Sequence, residues 1–162
     1  MTTLTKKVNI SGVGIHSGLP VNMVIKPSKN YGIFFKRVDI KDSDLIPATY
    51  DNVGDTFMRN TTIGKKNGAH VQTIEHLMAS LFILGLDSVI IEIDGPETPI
   101  LDGSAFDFYT ALQSAVGEKT KMKKIVVKKT VIATRNELAK YLPFWKRIKT
   151  IILNHTIWCC GN

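Results

Sequence analysis

A glutamate beside a histidine, Glu75-His76, is the pair in this sequence best suited to hydrolytic chemistry. It falls where a helical pattern begins. Ile74, Leu77, Met78, Leu81 and Phe82 recur at helical spacing, Thr73 stands before them as the expected N-cap, and Gly85 ends the run. With Thr73 as N-cap, Glu75 and His76 take the second and third helical positions, among free backbone N–H groups at the positive end of the macrodipole. That setting favours a negative Glu75 and leaves an imidazole at His76 free to bind a metal. A carboxylate beside such a metal can take a proton from bound water, giving the hydroxide that attacks a carbonyl. The same two residues also fit a plainer role, an acid favoured by the dipole next to a half-buried histidine.

Three other clusters carry chemistry-bearing side chains. In Gly12-Val-Gly-Ile-His16-Ser-Gly18, glycines around a histidine and a serine would let the backbone approach a ligand closely. The run is not a dinucleotide fingerprint, because no G-x-G-x-x-G opens a helix after a strand, and a glycine-rich hairpin explains it equally well. Asp94-Gly-Pro-Glu97-Thr-Pro-Ile-Leu-Asp102-Gly-Ser104 holds three carboxylates. Asp102 is a candidate catalytic acid there, or else part of a two-turn connection that caps a second helix. His155 with Cys159 and Cys160 has a metal-like spacing, but structural zinc takes four ligands and nothing nearby supplies the rest.

The elements that must position these residues read as α+β, a mainly antiparallel sheet with two helices packed on it. Strands are expected over Lys7–Ser11, Val21–Lys26, Ile33–Phe35 and Ser88–Asp94, with a short one near Ala48–Tyr50. Thr61–Ile63 and Ala69–Val71 flank Lys65-Lys66-Asn67-Gly68, whose Asn-Gly pair signals a hairpin. The second helix is expected from Ser104 as N-cap, with Asp107 completing a capping box, and to stop at Gly117. Beyond Gly117 the pattern weakens, giving a division into 1–120 as a first domain and 121–162 as a basic tail.

Composition narrows the function classes. With 162 residues, 44% hydrophobic and 22% charged, the chain can build one full core. No apolar run reaches the roughly 18 residues of a membrane span, and no apolar stretch follows the N-terminal lysines as a secretory signal would require. The only two cysteines are adjacent, so a disulfide framework is not expected and a cytoplasmic location is. The net charge of +7 suggests nucleic acid, yet residues 1–118 carry 10 Lys/Arg against 13 Asp/Glu, while residues 119–162 carry 11 against one. The excess belongs to the tail. Its aromatic residues, Tyr141, Phe144, Trp145 and Trp158, are too irregular for a stacking platform, so no nucleic-acid partner is expected.

Taken together, five segments occur in order: Gly12–Gly18, Asp55-Thr56, Thr73-Ile-Glu-His-Leu-Met-Ala79, Gly85-Leu-Asp87, and Asp94–Ala105. They closely resemble the amino-terminal domain of the UDP-3-O-acyl-N-acetylglucosamine deacetylase family of Gram-negative lipid A synthesis, over about residues 3–133. The resemblance implies two similar domains, each a sheet with two helices, facing each other across an active site. It implies a zinc cofactor with His76 as one ligand, Glu75 as the general base, and a UDP-linked acyl sugar as the small-molecule substrate. It also implies that the other two zinc ligands, a His and an Asp, stand in an H-x3-D helix of the second domain.

This sequence departs from that pattern. The residues four beyond His16, His70, His76 and His155 are Pro20, Ile74, Ser80 and Cys159, so no H-x3-D occurs. Ile152-Leu-Asn-His-Thr156 looks like the opening of the second domain, with Thr156 in place of a proline. The expectation is a truncated family member that is inactive by itself. Two alternatives remain: a binding module using the basic tail, and a non-catalytic fragment that self-associates through an exposed domain face.

Overall fold

The computed structural model describes residues 1–54, 60–64 and 68–118. The chain divides into two units, Met1–Lys121 and Met122–Asn162, and every described residue lies in the first. Its elements run β1 (Val8–Val13), β2 (Pro20–Pro27), β3 (Gly32–Arg37), β4 (Ile46–Pro47), a 3-10 turn (Tyr50–Asn52), β5 (Ile63–Gly64), β6 (His70–Val71), α1 (Glu75–Leu84), β7 (Ser88–Ile93) and α2 (Phe106–Gln113).

Among the described residues, five strands form one sheet in the order β1-β2-β7-β3-β4, and β5 pairs with β6 in a separate two-stranded ribbon. All pairings are antiparallel except β3 with β7. That parallel pair cannot be closed by a tight turn, so the chain between its strands makes a long excursion. The excursion contains the β5–β6 ribbon and α1, and so the parallel pair puts the Glu75-His76 helix on the sheet. The fold is α+β, as its patterning implies.

Period-two alternation sets the buried face. Ile10, Val21, Met23, Ile25, Phe35, Val89, Ile91 and Ile93 are all buried, and the residues that alternate with them along the strands, among them Ser11, Asn22 and Glu92, turn outward. Against this face the helices bury Leu77, Met78, Leu81 and Leu84 from α1 and Phe108 and Leu112 from α2, in one continuous core. Phe82 belongs to the expected apolar stripe of α1 but is 47% exposed.

Helix ends show where local signals hold and where they yield. Gly85 has φ 72°, its N–H donates to the Phe82 carbonyl, and the Leu86 N–H donates to the Leu81 carbonyl. This is a Schellman stop, with buried Leu86 and Leu81 as its apolar pair. The start of α1 differs from expectation. Thr73 is not its N-cap, because its φ is 58° and its hydroxyl is engaged elsewhere; helical structure begins at Glu75. The capping box expected for α2 is also absent. Ser104 still accepts from the Phe106 N–H at 3.0 Å, but its own N–H goes to Asp102.

The strand expected near Ala48–Tyr50 lies two residues earlier, at Ile46–Pro47, followed by the 3-10 turn. Asn52 holds that turn closed by donating to the Pro47 carbonyl and the Thr49 hydroxyl, each at 3.0 Å. The β5–β6 hairpin forms as its flanking strands suggest, and Asn67 of its turn lies outside the described residues. Asp87 of Gly85-Leu-Asp87 accepts from the Thr2 N–H at 2.7 Å, tying the chain start to the end of α1.

The stop at Gly85 yields a direct expectation. Gly85→Ala should lower unfolding free energy by about 1–2 kcal/mol, because a Cβ is disfavoured at positive φ, and Gly85→Asn should cost less. Urea denaturation of the three proteins checks the order.

Candidate active site

Three of the segments singled out in the sequence, Gly12–Gly18, Thr73–Ala79 and Asp94–Ala105, meet around one residue. Glu97 is only 1% exposed, and its carboxylate accepts hydrogen bonds from three sides. The His16 N–H reaches Oε1 at 3.1 Å, the Ser17 N–H reaches Oε2 at 2.9 Å, and the Thr73 hydroxyl donates to Oε1 at 2.8 Å. Burial pushes the Glu97 carboxyl up, but the Ser17 and His16 amides and the Thr73 and Ser17 hydroxyls outweigh it, holding the group below its ordinary range. Glu97 therefore stays charged at neutral pH.

The glycine-rich segment is the turn of the β1–β2 hairpin, and its glycines serve Glu97. A Cβ on Gly14 would collide with Oε2 of Glu97 and Oγ of Ser17, and one on Gly12 would stand 2.8 Å from Cβ of Pro99. Both are closer than real Cβ contacts, so a larger residue at either position would displace the Glu97 carboxylate or press the hairpin away from Pro99. His16 contributes its backbone N–H, while its residue as a whole is exposed.

Behind Glu97, residues 96–98 are stitched to the residues before α1. The Gln72 N–H donates to the Pro96 carbonyl at 2.8 Å, and the Thr98 N–H donates to the Gln72 carbonyl at 3.1 Å. The Thr98 hydroxyl donates to the Thr73 carbonyl at 2.6 Å. Thr73 and Thr98 are both buried.

From this anchored start, α1 carries Glu75 and His76 in its first turn, both half-buried. Oε2 of Glu75 accepts from the Thr61 N–H at 3.0 Å, and the Ile74 N–H donates back to the Thr61 carbonyl at 3.3 Å. Asp102 lies near His76. The Ser104 backbone N–H and hydroxyl hold the Asp102 carboxyl below its usual range, with a smaller contribution from the charge of His76. Asp102 is exposed and sits between Leu101 at φ 52° and Gly103 at φ 81°. Its bonds to Ser104, which in turn meets Phe106, make it the organiser of the turn into α2.

Among the described residues, no three His, Cys, Asp or Glu side chains converge as a metal site. His76 is thus a single donor with a carboxylate beside it, and a catalytic zinc takes three protein ligands. His155, Cys159, Cys160 and the Asp55-Thr56 motif lie outside the described residues. No described helix is long and apolar enough to cross a membrane.

This arrangement can be set against known proteins. The family model for UDP-3-O-acyl N-acetylglycosamine deacetylase, LpxC, matches residues 1–156. The chain belongs to that deacetylase family. A UDP-3-O-acyl-N-acetylglucosamine deacetylase of Geotalea uraniireducens is 46% identical over 133 residues, covering 80% of this chain and 42% of the relative. The enzyme of the same name from Saccharophagus degradans is 38% identical over 162 residues, covering 96% and 53%. That of Teredinibacter turnerae is 39% identical over 147 residues, covering 88% and 48%. The chain spans about half the length of these curated deacetylases.

The sequence pattern suggests the second and third helical positions for Glu75 and His76, but α1 begins at Glu75, which makes them the first and second; Glu97 stands out in the sequence only as one of three carboxylates. The available signal was an acid enclosed by Pro96 and Pro99, opposite a glycine-rich turn offering free amides.

Glu97→Gln keeps the shape but sets an amide NH2 against the backbone donors, and should destabilise the fold by about 2–4 kcal/mol. The pH dependence follows from its lowered folded-state pKa. Its contribution is complete above the unfolded value of about 4.3 and is lost as pH falls through the folded value. Chemical denaturation from pH 7 down to 3 should therefore show a loss of stability in the native chain that is smaller in Glu97→Gln.

Proposed function

We propose that this chain is the amino-terminal part of a zinc-dependent deacetylase that removes the N-acetyl group of UDP-3-O-acyl-N-acetylglucosamine in lipid A synthesis in the cytoplasm. Residues 1–120 form its first domain, and 121–162 open a second one. The observation that carries this reading is the paired placement of Glu75 and His76 in the first turn of α1, in a chain belonging to that family.

In this reading His76 offers one imidazole ligand to zinc and Glu75 is the general base. One Glu75 oxygen is held by the Thr61 N–H, which fixes the carboxylate and leaves its other oxygen to take a proton. The described residues do not fit a zinc ion by themselves, so the remaining ligands must come from elsewhere in the assembled enzyme. On this reading the chain assayed by itself should release no acetate. Exposed Val13, Ile15 and Leu19 in and around the β1–β2 turn, with Phe106 at the start of α2, favour self-association when no second domain is present.

The test joins this chain to the carboxyl-terminal half of the Geotalea relative and follows acetate release from UDP-3-O-acyl-N-acetylglucosamine. The joined protein should be active and the chain alone should not. Glu75→Gln and His76→Ala should each cost about a hundredfold or more in kcat. An active joined protein whose rate is unchanged by both substitutions would overturn the assignment.

A further inference from the structure

We propose that Glu97 and Thr98 are positioning residues: they hold Thr73 in a left-handed conformation and so fix how α1 presents Glu75 and His76. This rests on the roles given above to those two residues and adds the device that places them.

Thr73 is an unusual residue to find at φ 58°. Its branched Cβ makes positive φ costly, and such a conformation persists only where the surroundings over-determine it. Here they do so on both sides of the residue. The Thr73 hydroxyl donates to Oε1 of Glu97 at 2.8 Å, and its carbonyl accepts from the Thr98 hydroxyl at 2.6 Å. The backbone ladder between Gln72 and residues 96–98 holds the same segment in place.

The consequence for α1 is geometric. Ile74 already has right-handed dihedrals, φ −77° and ψ −12°, and the helix starts at the next residue. The direction of the chain at Thr73 is therefore the last free choice before Glu75. A threonine in the ordinary N-cap conformation would use its hydroxyl on the helix's own amides and would start the helix along another line. Thr73 gives up that cap, and Glu97 receives the hydroxyl instead.

Glu97 is itself fixed by the His16 and Ser17 amides, so the hairpin turn and the start of α1 share one buried anion. The short path from anchor to site runs Glu97, Thr73, Ile74, Glu75. At its far end the Thr61 N–H grips the Glu75 carboxylate at 3.0 Å and reports whether that carboxylate is in place.

The experiment uses that amide. Hydrogen exchange of the Thr61 N–H would be followed by 1H–15N spectroscopy in the full chain, with Glu75→Ala identifying the dependence of the signal on the carboxylate. Thr73→Val and Thr98→Val keep the shape and remove one hydroxyl each. Thr73→Ser keeps the hydroxyl, and Ile10→Val supplies a distant core change of comparable global cost.

Both valine variants should speed Thr61 exchange about tenfold beyond the Ile10→Val control, the equivalent of one hydrogen bond, with Thr73→Ser close to the native chain. Should Thr73→Val fail to fold, Thr98→Val carries the test. Exchange at Thr61 no faster in the valine variants than in the control would overturn the proposal, as would equal damage from Thr73→Ser and Thr73→Val. The readout depends on neither zinc nor acetyl release, so failure of the deacetylase reading and failure of this one are separable.

Discussion

A single buried carboxylate holds this domain's chemistry-bearing segments together. Glu97 is charged in a site where an uncompensated ion would be prohibitive, so its environment has to supply donors. It obtains them from two consecutive backbone amides and a hydroxyl, the groups best able to stabilise a carboxylate without a counter-charge. Because those donors come from a hairpin turn near residue 16 and from residue 73, one anion fixes the relation between parts of the chain far apart in sequence. Gly12 and Gly14 follow from the same constraint, since a Cβ at either position would crowd Pro99 or the Glu97 carboxylate.

A second clamp works by the opposite chemistry. Arg37 is buried and donates to both oxygens of Asp39 at 2.8 and 2.7 Å, and to the His70 carbonyl at 2.9 Å. It ties β3 to the β5–β6 ribbon, as Glu97 ties the β1–β2 turn to the start of α1. The Arg37 hydrogen bond holds the Asp39 carboxyl below its usual range, so that carboxylate too is charged at neutral pH. Between them, these fixed charges hold the loops around α1 to a sheet whose stability comes from its apolar face.

On the proposed reading, the site that results is one side of a reaction centre. It offers an imidazole, a carboxylate gripped by a backbone amide, and an exposed aspartate engaged in a turn. The chain belongs to the deacetylase family, and the zinc proposed for it would need ligands beyond the His76 that the described residues offer. The placement of Glu75 depends on a helix start built without the usual side-chain cap, so local helix stability is subordinate there to where the side chains point.

The sequence by itself determined the α+β class, most strand positions, the stop at Gly85 and the Glu75-His76 pair, because each depends on residues within a few positions of one another. Alternation selects a strand's buried face, and a glycine with positive φ ends a helix, whatever the rest of the chain does. Tertiary structure alone decided the parallel pairing of β3 with β7, the true start of α1 and the role of Glu97. Thr73 has the composition of an N-cap, and only a carboxylate 24 residues away diverts its hydroxyl from that use. An interaction whose partners are so distant leaves no periodic trace in sequence, and it forms only once the sheet has brought both segments to the same place.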